Sequence, residues 1–182
     1  MGLIKDFKKM ISMDLKEIDN LVLIIGKTEG HIDQSLFART ILDEKNGPPP
    51  EVNLFNEKNN GESILNLIDK GYVKSAHDIS LGGLLVAISK MCIKGNKGIK
   101  IHKSNNLINE IEYFFAEDQG RYLIEVNKED LKEVTKILNK NSVHHEELGI
   151  ITQNDMIINE KTKVTIDELK SYYTNWLSKY MS

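Results

Sequence analysis

The chain has 182 residues, 40% of them apolar and 28% charged, which suits one domain with a real core and excludes wholesale disorder. Twenty-four basic against 27 acidic residues leave a net charge of -3, so nonspecific nucleic-acid binding through a basic surplus is excluded. The single cysteine, Cys92, rules out an internal disulfide and a cysteine-built zinc cluster, and it points to a reducing, cytoplasmic setting.

In chain order, residues 9–15 (KMISMDL) are a weak strand candidate. Residues 21–26 (LVLIIG) are apolar at every position before the glycine, which predicts a strand buried on both faces. Ser35 is placed to cap a helix over 36–44, with Leu36, Ile41 and Leu42 inward. Gly47 and Pro48-Pro49-Pro50 stop it. A second helix is expected over 52–70, with Val52, Phe55, Ile64, Leu65 and Ile68 on one stripe and a weak point at Asn59-Asn60-Gly61. Gly71 ends it.

Residues 74–80 (KSAHDIS) read as a short strand that ends in a turn at Gly82-Gly83. Residues 84–93 are apolar almost all round and predict a buried helix, with Cys92 as filler. The alternation of 98–103 (GIKIHK) predicts a half-buried strand. A short helix is expected over 105–115 and a strand over 121–126. Asn127 is placed to cap a helix over 128–140, with Asp130 at the capping-box distance. Residues 144–153 and 155–161 look like the strands of a final hairpin. Thr165 and Glu168 form a capping box for a closing helix over 166–180, where Leu169, Tyr172, Tyr173, Trp176 and Tyr180 make one face. No apolar run approaches the roughly 20 residues that cross a bilayer. Strands and helices interleave without a long linker, so the fold class is α/β (α+β): a single domain with a mixed β-sheet packed with helices.

Three stretches could carry chemistry. In residues 75–83 (SAHDISLGG), a strand delivers His77 and Asp78 to its end, Ser80 follows, and Gly82-Gly83 open a helix. A helix N-terminus favours phosphate, and an Asp beside it can hold Mg²⁺ on that phosphate. The plainer reading makes Asp78 a turn cap and the glycines a means of close packing. In residues 115–121 (FAEDQGR), Glu117, Asp118 and Gln119 stand in a row between apolar flanks. Arg121 can there grip a carboxylate or phosphate in two-pronged fashion, or simply pair locally. In residues 26–39, Gly26 and Gly30 flank a polar turn before a helix. Only Arg39 and Arg121 are arginines among the 24 basic residues, and both fall in these stretches.

Four segments in register carry a family resemblance: LIIGKTEGHIDQSLFARTI, NGPPPEVNLFNEKNNGE, AHDISLGGLLVAISKM and FAEDQGRYLIEV. Over about residues 3–159 they resemble the C-terminal domain of the AIR-synthase-related superfamily, and more narrowly the last such domain of the phosphoribosylformylglycinamidine synthase family. The resemblance implies an AIR-synthase C-terminal-domain-like fold over 21–182, with residues 1–20 joining a missing N-domain. It implies part of an ATP-dependent carbon–nitrogen ligase of purine biosynthesis, which turns formylglycinamide ribonucleotide and glutamine-derived ammonia into the amidine.

In that family the catalytic histidine and most nucleotide and Mg²⁺ ligands belong to domains this chain does not contain. The resemblance therefore implies no catalytic residue and no activity for the chain alone. ATP or ADP and Mg²⁺ serve the full enzyme, and the isolated chain is open to binding neither. Nucleotide- or substrate-cleft candidates are His77, Asp78, Ser80, Gly82, Gly83, Glu117, Asp118, Gln119 and Arg121, with Asp78 the candidate metal ligand. Leu81 stands where the family usually has Asp, which puts metal binding in doubt, and Asp33 stands where Gly is common. Implied partners are the N-terminal-type domains of the same synthase and a glutaminase subunit, with a homo-oligomer expected of the isolated chain and neither nucleic acid nor membrane. Two alternatives stay open: another enzyme of the superfamily, or a stand-alone binding or assembly module.

Overall fold

Leu21–Ile25 form strand β1, and all five side chains are buried. Successive strand side chains point to opposite faces, so complete burial needs cover on both. A computed structural model, which describes residues 6–103 and 108–182 with the backbone alone at 177–179, supplies that cover. On one face Leu21, Leu23 and Ile25 pack with Ile64 and Leu67 of α2 (Leu54–Asp69) and with Val134 and Leu138 of α5 (Leu131–Lys140). On the other, Val22 and Ile24 join a cluster with Leu84, Ile88 and Met91 of α3 (Gly83–Gly95) and with Tyr113 and Phe114 of α4 (Glu110–Phe115). Burial of each such aliphatic side chain stabilises the fold by roughly 1.5–3 kcal/mol.

The other strands are β2 (Val73–Asp78), β3 (Gly98–Ile101), β4 (Tyr122–Val126), β5 (His145–Thr152), β6 (Asp155–Ile158) and β7 (Thr162–Thr165). They form one sheet in the order β2-β4-β1-β5-β3-β6-β7. Every neighbouring pair is antiparallel except β3 and β6. A short α1 (Leu36–Thr40) and a closing α6 (Ile166–Met181) complete the elements. The expected single domain with a mixed sheet and helices is therefore present.

Several local expectations are corrected. Residues 9–15 form no strand: a 3₁₀ turn at Phe7–Lys9 leads into irregular chain. That chain is tied down by point contacts, with the amide of Ala76 donating to the carbonyl of Ser12 and that of Leu15 to Met91. The helix from 36 stops at Thr40, and Ile41 and Leu42 are exposed. The second helix begins at Leu54, runs unbroken through Asn59-Asn60-Gly61, and leaves Val52, Phe55 and Leu65 exposed. Its inward side instead carries Asn60 and Ser63 beside Ile64 and Leu67. Of the expected 105–115 helix, Glu110–Phe115 is helical, 108–109 precede it without helix, and 105–107 lie outside the described residues. A 3₁₀ turn, Lys128–Asp130, precedes α5, and neither Asn127 nor Asp130 makes a side-chain cap bond.

The final hairpin is β6–β7, not β5–β6, because β3 lies between β5 and β6. The two-residue link from β5 to β6 passes over the start of β3 at Gly98. A Cβ there would fall 2.2 Å from the carbonyl oxygen of Asp155, so a side chain would push the crossing apart. The true hairpin turns at Asn159-Glu160, both in the left-handed region, which glutamate rarely enters. On α6, Leu169 packs against the core, while Tyr172, Tyr173, Trp176 and Tyr180 are exposed.

Candidate functional site

His77 and Asp78 close β2, opposite Leu123 and Tyr122 of β4. Leu123 belongs to the α3-side core and Tyr122 packs with the α2-side core, so the two neighbours in sequence project to opposite faces. They meet around the sheet edge, with His77 Nδ1 3.1 Å from Asp78 Oδ1. His77 Nε2 is buried without a hydrogen-bond partner. Burial lowers the pKa of His77, against the pull of Asp78. Burial opposes ionisation of Asp78 too. Hydrogen bonds from Ser80 and its own backbone, with His77 beside it, outweigh that and hold its carboxyl below the ordinary range. Ser80 is exposed. Gly82 (φ 91°) caps α3, and Gly83 (φ 73°) sits so close to the 115–116 backbone that a Cβ would lie 2.7 Å from the carbonyl carbon of Phe115.

Glu117 and Asp118 are engaged by backbone amides from two loops. Glu117 Oε1 accepts from the amide of Leu36 at 2.7 Å and from that of Gly82 at 2.8 Å. Asp118 Oδ2 accepts from Glu29 at 3.0 Å and Gly30 at 3.2 Å, and its Oδ1 accepts from His31 at 3.0 Å. Three successive amides converging on one carboxylate form an anion nest, filled here from within the chain. Arg121 is 1% exposed. It donates from Nη1 to Thr28 Oγ1 at 3.1 Å and from Nη2 to the carbonyl of Ala116 at 2.6 Å. Gln119 alone of this run is exposed.

The 27–31 loop, the start of α2, Gln119 and the 142–144 turn enclose a cavity of about 620 Å³. Asn53, Asn56 and Asn60 descend one side of α2 into its wall, with Glu57 between them and His144 across. Asn60 Nδ2 donates to the carbonyl of Gly120 at 2.9 Å and closes the floor. These α2 residues were not singled out from the sequence. The readable signal was three asparagines at i, i+3 and i+7, a polar stripe on a helix expected to be apolar inward. Of the candidates read from the sequence, Asp118 and Gln119 line the cavity. His77, Asp78, Ser80, Gly82 and Gly83 belong to the neighbouring turn, joined to the cavity wall through Glu117.

Among the described residues no group of three or more His, Cys, Asp or Glu side chains could hold a metal ion. Asp78 is the one carboxylate in the 78–83 turn, and Leu81 in that turn is apolar and 54% exposed, so these residues alone do not fit Mg²⁺. Burial pushes the Cys92 thiol up to about 12, which leaves it protonated and inert. No helix among the described residues is long and apolar enough to cross a membrane.

Residues 17–159 match the family model described as AIR synthase related protein, C-terminal domain. Over 180 residues the chain is 66% identical to the phosphoribosylformylglycinamidine synthase subunit PurL of Pelagibacter ubique, covering 99% of this chain and 25% of the relative. The same subunit of Bartonella henselae is 36% identical over 180 residues, 99% of this chain and 24% of the relative. The chain thus spans about a quarter of the length of these relatives. Among solved structures, Thermotoga maritima PurL complexed with FGAR aligns with a TM-score of 0.73 at 19% identity, over 89% of this chain and 29% of that one. Escherichia coli HypE aligns with a TM-score of 0.61 at 16% identity, over 87% of this chain and 52% of that one. At these identities the structural likeness speaks for the fold.

Proposed function

The chain belongs to the family of AIR synthase related protein C-terminal domains, and on that premise we propose that it serves as the C-terminal domain of a phosphoribosylformylglycinamidine synthase. The observation that carries this reading is 66% identity to a named synthase subunit over nearly the whole chain, α6 included. Other enzymes of the superfamily share the fold, but the named sequence relatives are synthase subunits over 99% of the chain.

In this reading the complete enzyme uses ATP and Mg²⁺ to activate formylglycinamide ribonucleotide, and ammonia derived from glutamine yields the amidine. The domain supplies one wall of a cleft and the contacts that hold N-terminal-type domains against it, and a glutaminase subunit joins the assembly in the cytoplasm. Asp78, Ser80 and Gln119 are the exposed candidates that reach a ligand. Glu117, Asp118 and Arg121 position the loops that bear them, since their own polar atoms are already engaged within the chain.

The chain alone performs no synthesis, because it spans about a quarter of the length of the synthase subunits it matches. The test is direct: incubate this polypeptide with formylglycinamide ribonucleotide, ATP, Mg²⁺ and ammonia. No amidine is expected, and amidine formation would refute the division of labour. Calorimetry with ADP and Mg²⁺ separates a cleft wall that needs its partner domains, which gives no heat, from a stand-alone nucleotide-binding module, which gives a saturable signal.

A further inference from the structure

Glu117 joins two loops that are distant in sequence. One oxygen, Oε1, accepts from the first residue of α1, Leu36, and from the cap of α3, Gly82. The Glu117 amide donates to the carbonyl of His31 at 3.1 Å. Asp118, next in sequence, takes the amides of Glu29, Gly30 and His31. Five backbone amides, from segments 29–36 and 82, therefore hang on two adjacent carboxylates. The acceptors are held rigidly in turn. Ala116 between α4 and Glu117 is buried, and its carbonyl receives Arg121 Nη2. The glycine turn leans on the same backbone at 115–116, with no room for a Cβ at Gly83.

We infer that Glu117 is a positioning residue that clasps the cavity-wall loop to the 78–83 turn, so that the two sides of the cleft move as one unit. A charge-assisted bond to each amide is stronger than a neutral one, and each bond holds the Glu117 carboxylate in place for the other. Displacement of the 29–36 loop, on which the cavity opens, is thereby felt at Asp78 and Gly82. The inference concerns the cleft of the proposed function. Its test reads backbone amides with no ligand present, so its failure and the failure of that function are distinguishable.

Leu36→Pro removes the amide donor and a half-buried leucine side chain while keeping the backbone path. Proline is tolerated at the first position of a helix, and Ser35 before it already has the extended backbone (φ -66°, ψ 162°) that a following proline requires. Amide hydrogen exchange of the 182-residue chain is measured by NMR. The clasp predicts that Gly82, 46 positions away, exchanges about threefold faster or more in this variant, while the β1 amides keep their rates. An unchanged Gly82 amide overturns the clasp, and so does equal acceleration in β1, which marks general loosening. Glu117→Ala provides the second arm: Leu36 and Gly82 are both expected to accelerate by about tenfold or more. Acceleration of one without the other overturns the inference. Glu117→Gln keeps one acceptor oxygen and restores the two amides together or not at all; restoration of one alone overturns it.

Discussion

Arg121 and Asp118 stand three residues apart with Nη2 3.6 Å from Oδ2, and both side chains are withdrawn from solvent. A buried charge is tolerated only with a counter-charge and a full set of hydrogen-bond partners. Asp118 provides the first, and Thr28, Ala116 and the Asp118 carbonyl serve the second, one for each guanidinium nitrogen. Lysine has no planar fork and cannot reach both acceptors from one position. Arg121→Lys is therefore expected to cost about 2–4 kcal/mol in urea unfolding. Arg39, the other arginine, is exposed, and among the described residues its side chain bonds only the carbonyl of Ser35, the cap of its own helix, at 3.4 Å. Arg39→Lys is expected to stay within about 0.5 kcal/mol of the parent. Equal effects at the two positions would contradict the contrast.

Glu125 makes a second buried anchor. It is 0% exposed and accepts four hydrogen bonds: from the amides of Lys16 and Glu17, from Asn20 Nδ2 and from Ser75 Oγ. It thereby fixes the irregular 14–20 segment to β4 and β2. Glu125→Ala leaves four donors unpaired and is predicted to cost about 3 kcal/mol or more. Limited proteolysis should then cut first within residues 14–20. Wild-type resistance of that segment in the variant would remove Glu125 from its assigned role.

His77 links the edge of the sheet to pH. Burial lowers its folded-state pKa below the ordinary value of 6.5. The unfolded chain then binds more protons than the folded chain between the two values, so stability rises with pH across that window. The contribution is complete above the unfolded value and is lost as pH falls toward the folded one. Urea midpoints measured from pH 7.5 down to pH 5 should fall in the wild type and fall less in His77→Leu. Identical slopes would show that His77 does not titrate as described.

Trp176 is the only tryptophan, 61% exposed, and it shares α6 with Tyr172, Tyr173 and Tyr180. A helix face this apolar and open commonly finds cover. At low concentration its emission should be that of a hydrated indole. As concentration rises a blue shift is expected, together with faster sedimentation. A monomer with unshifted emission at the highest concentrations would count against self-association through α6.

Much of the fold was legible because it rests on local pattern. The run at 21–25 declared a strand covered on both faces, and the apolar helix at 84–93 declared the layer beside it. Non-local facts were not legible. Nothing in 144–161 reveals that β3 inserts between β5 and β6, since a two-residue link ordinarily closes a hairpin; Gly98 was the mark of the crossing. Apolar residues at 52, 55 and 65 suggested an inward stripe, yet the polar Asn60 and Ser63 occupy it, because α2 builds a cavity wall where it meets Gly120 and Asn141. The acidic pair at 117–118 was legible as special, but not its orientation toward backbone amides, which depends on loops some 80 positions away in sequence.

A domain exchange tests directly whether this chain serves as the C-terminal domain of such a synthase. The 180-residue segment of the Pelagibacter ubique synthase subunit that matches this chain is replaced by this chain, and amidine formation is assayed with formylglycinamide ribonucleotide, ATP, Mg²⁺ and ammonia. A folded chimera is expected, with kcat within about tenfold of the parent, equivalent to under about 1.4 kcal/mol of activation free energy. A folded chimera that makes no amidine would contradict it.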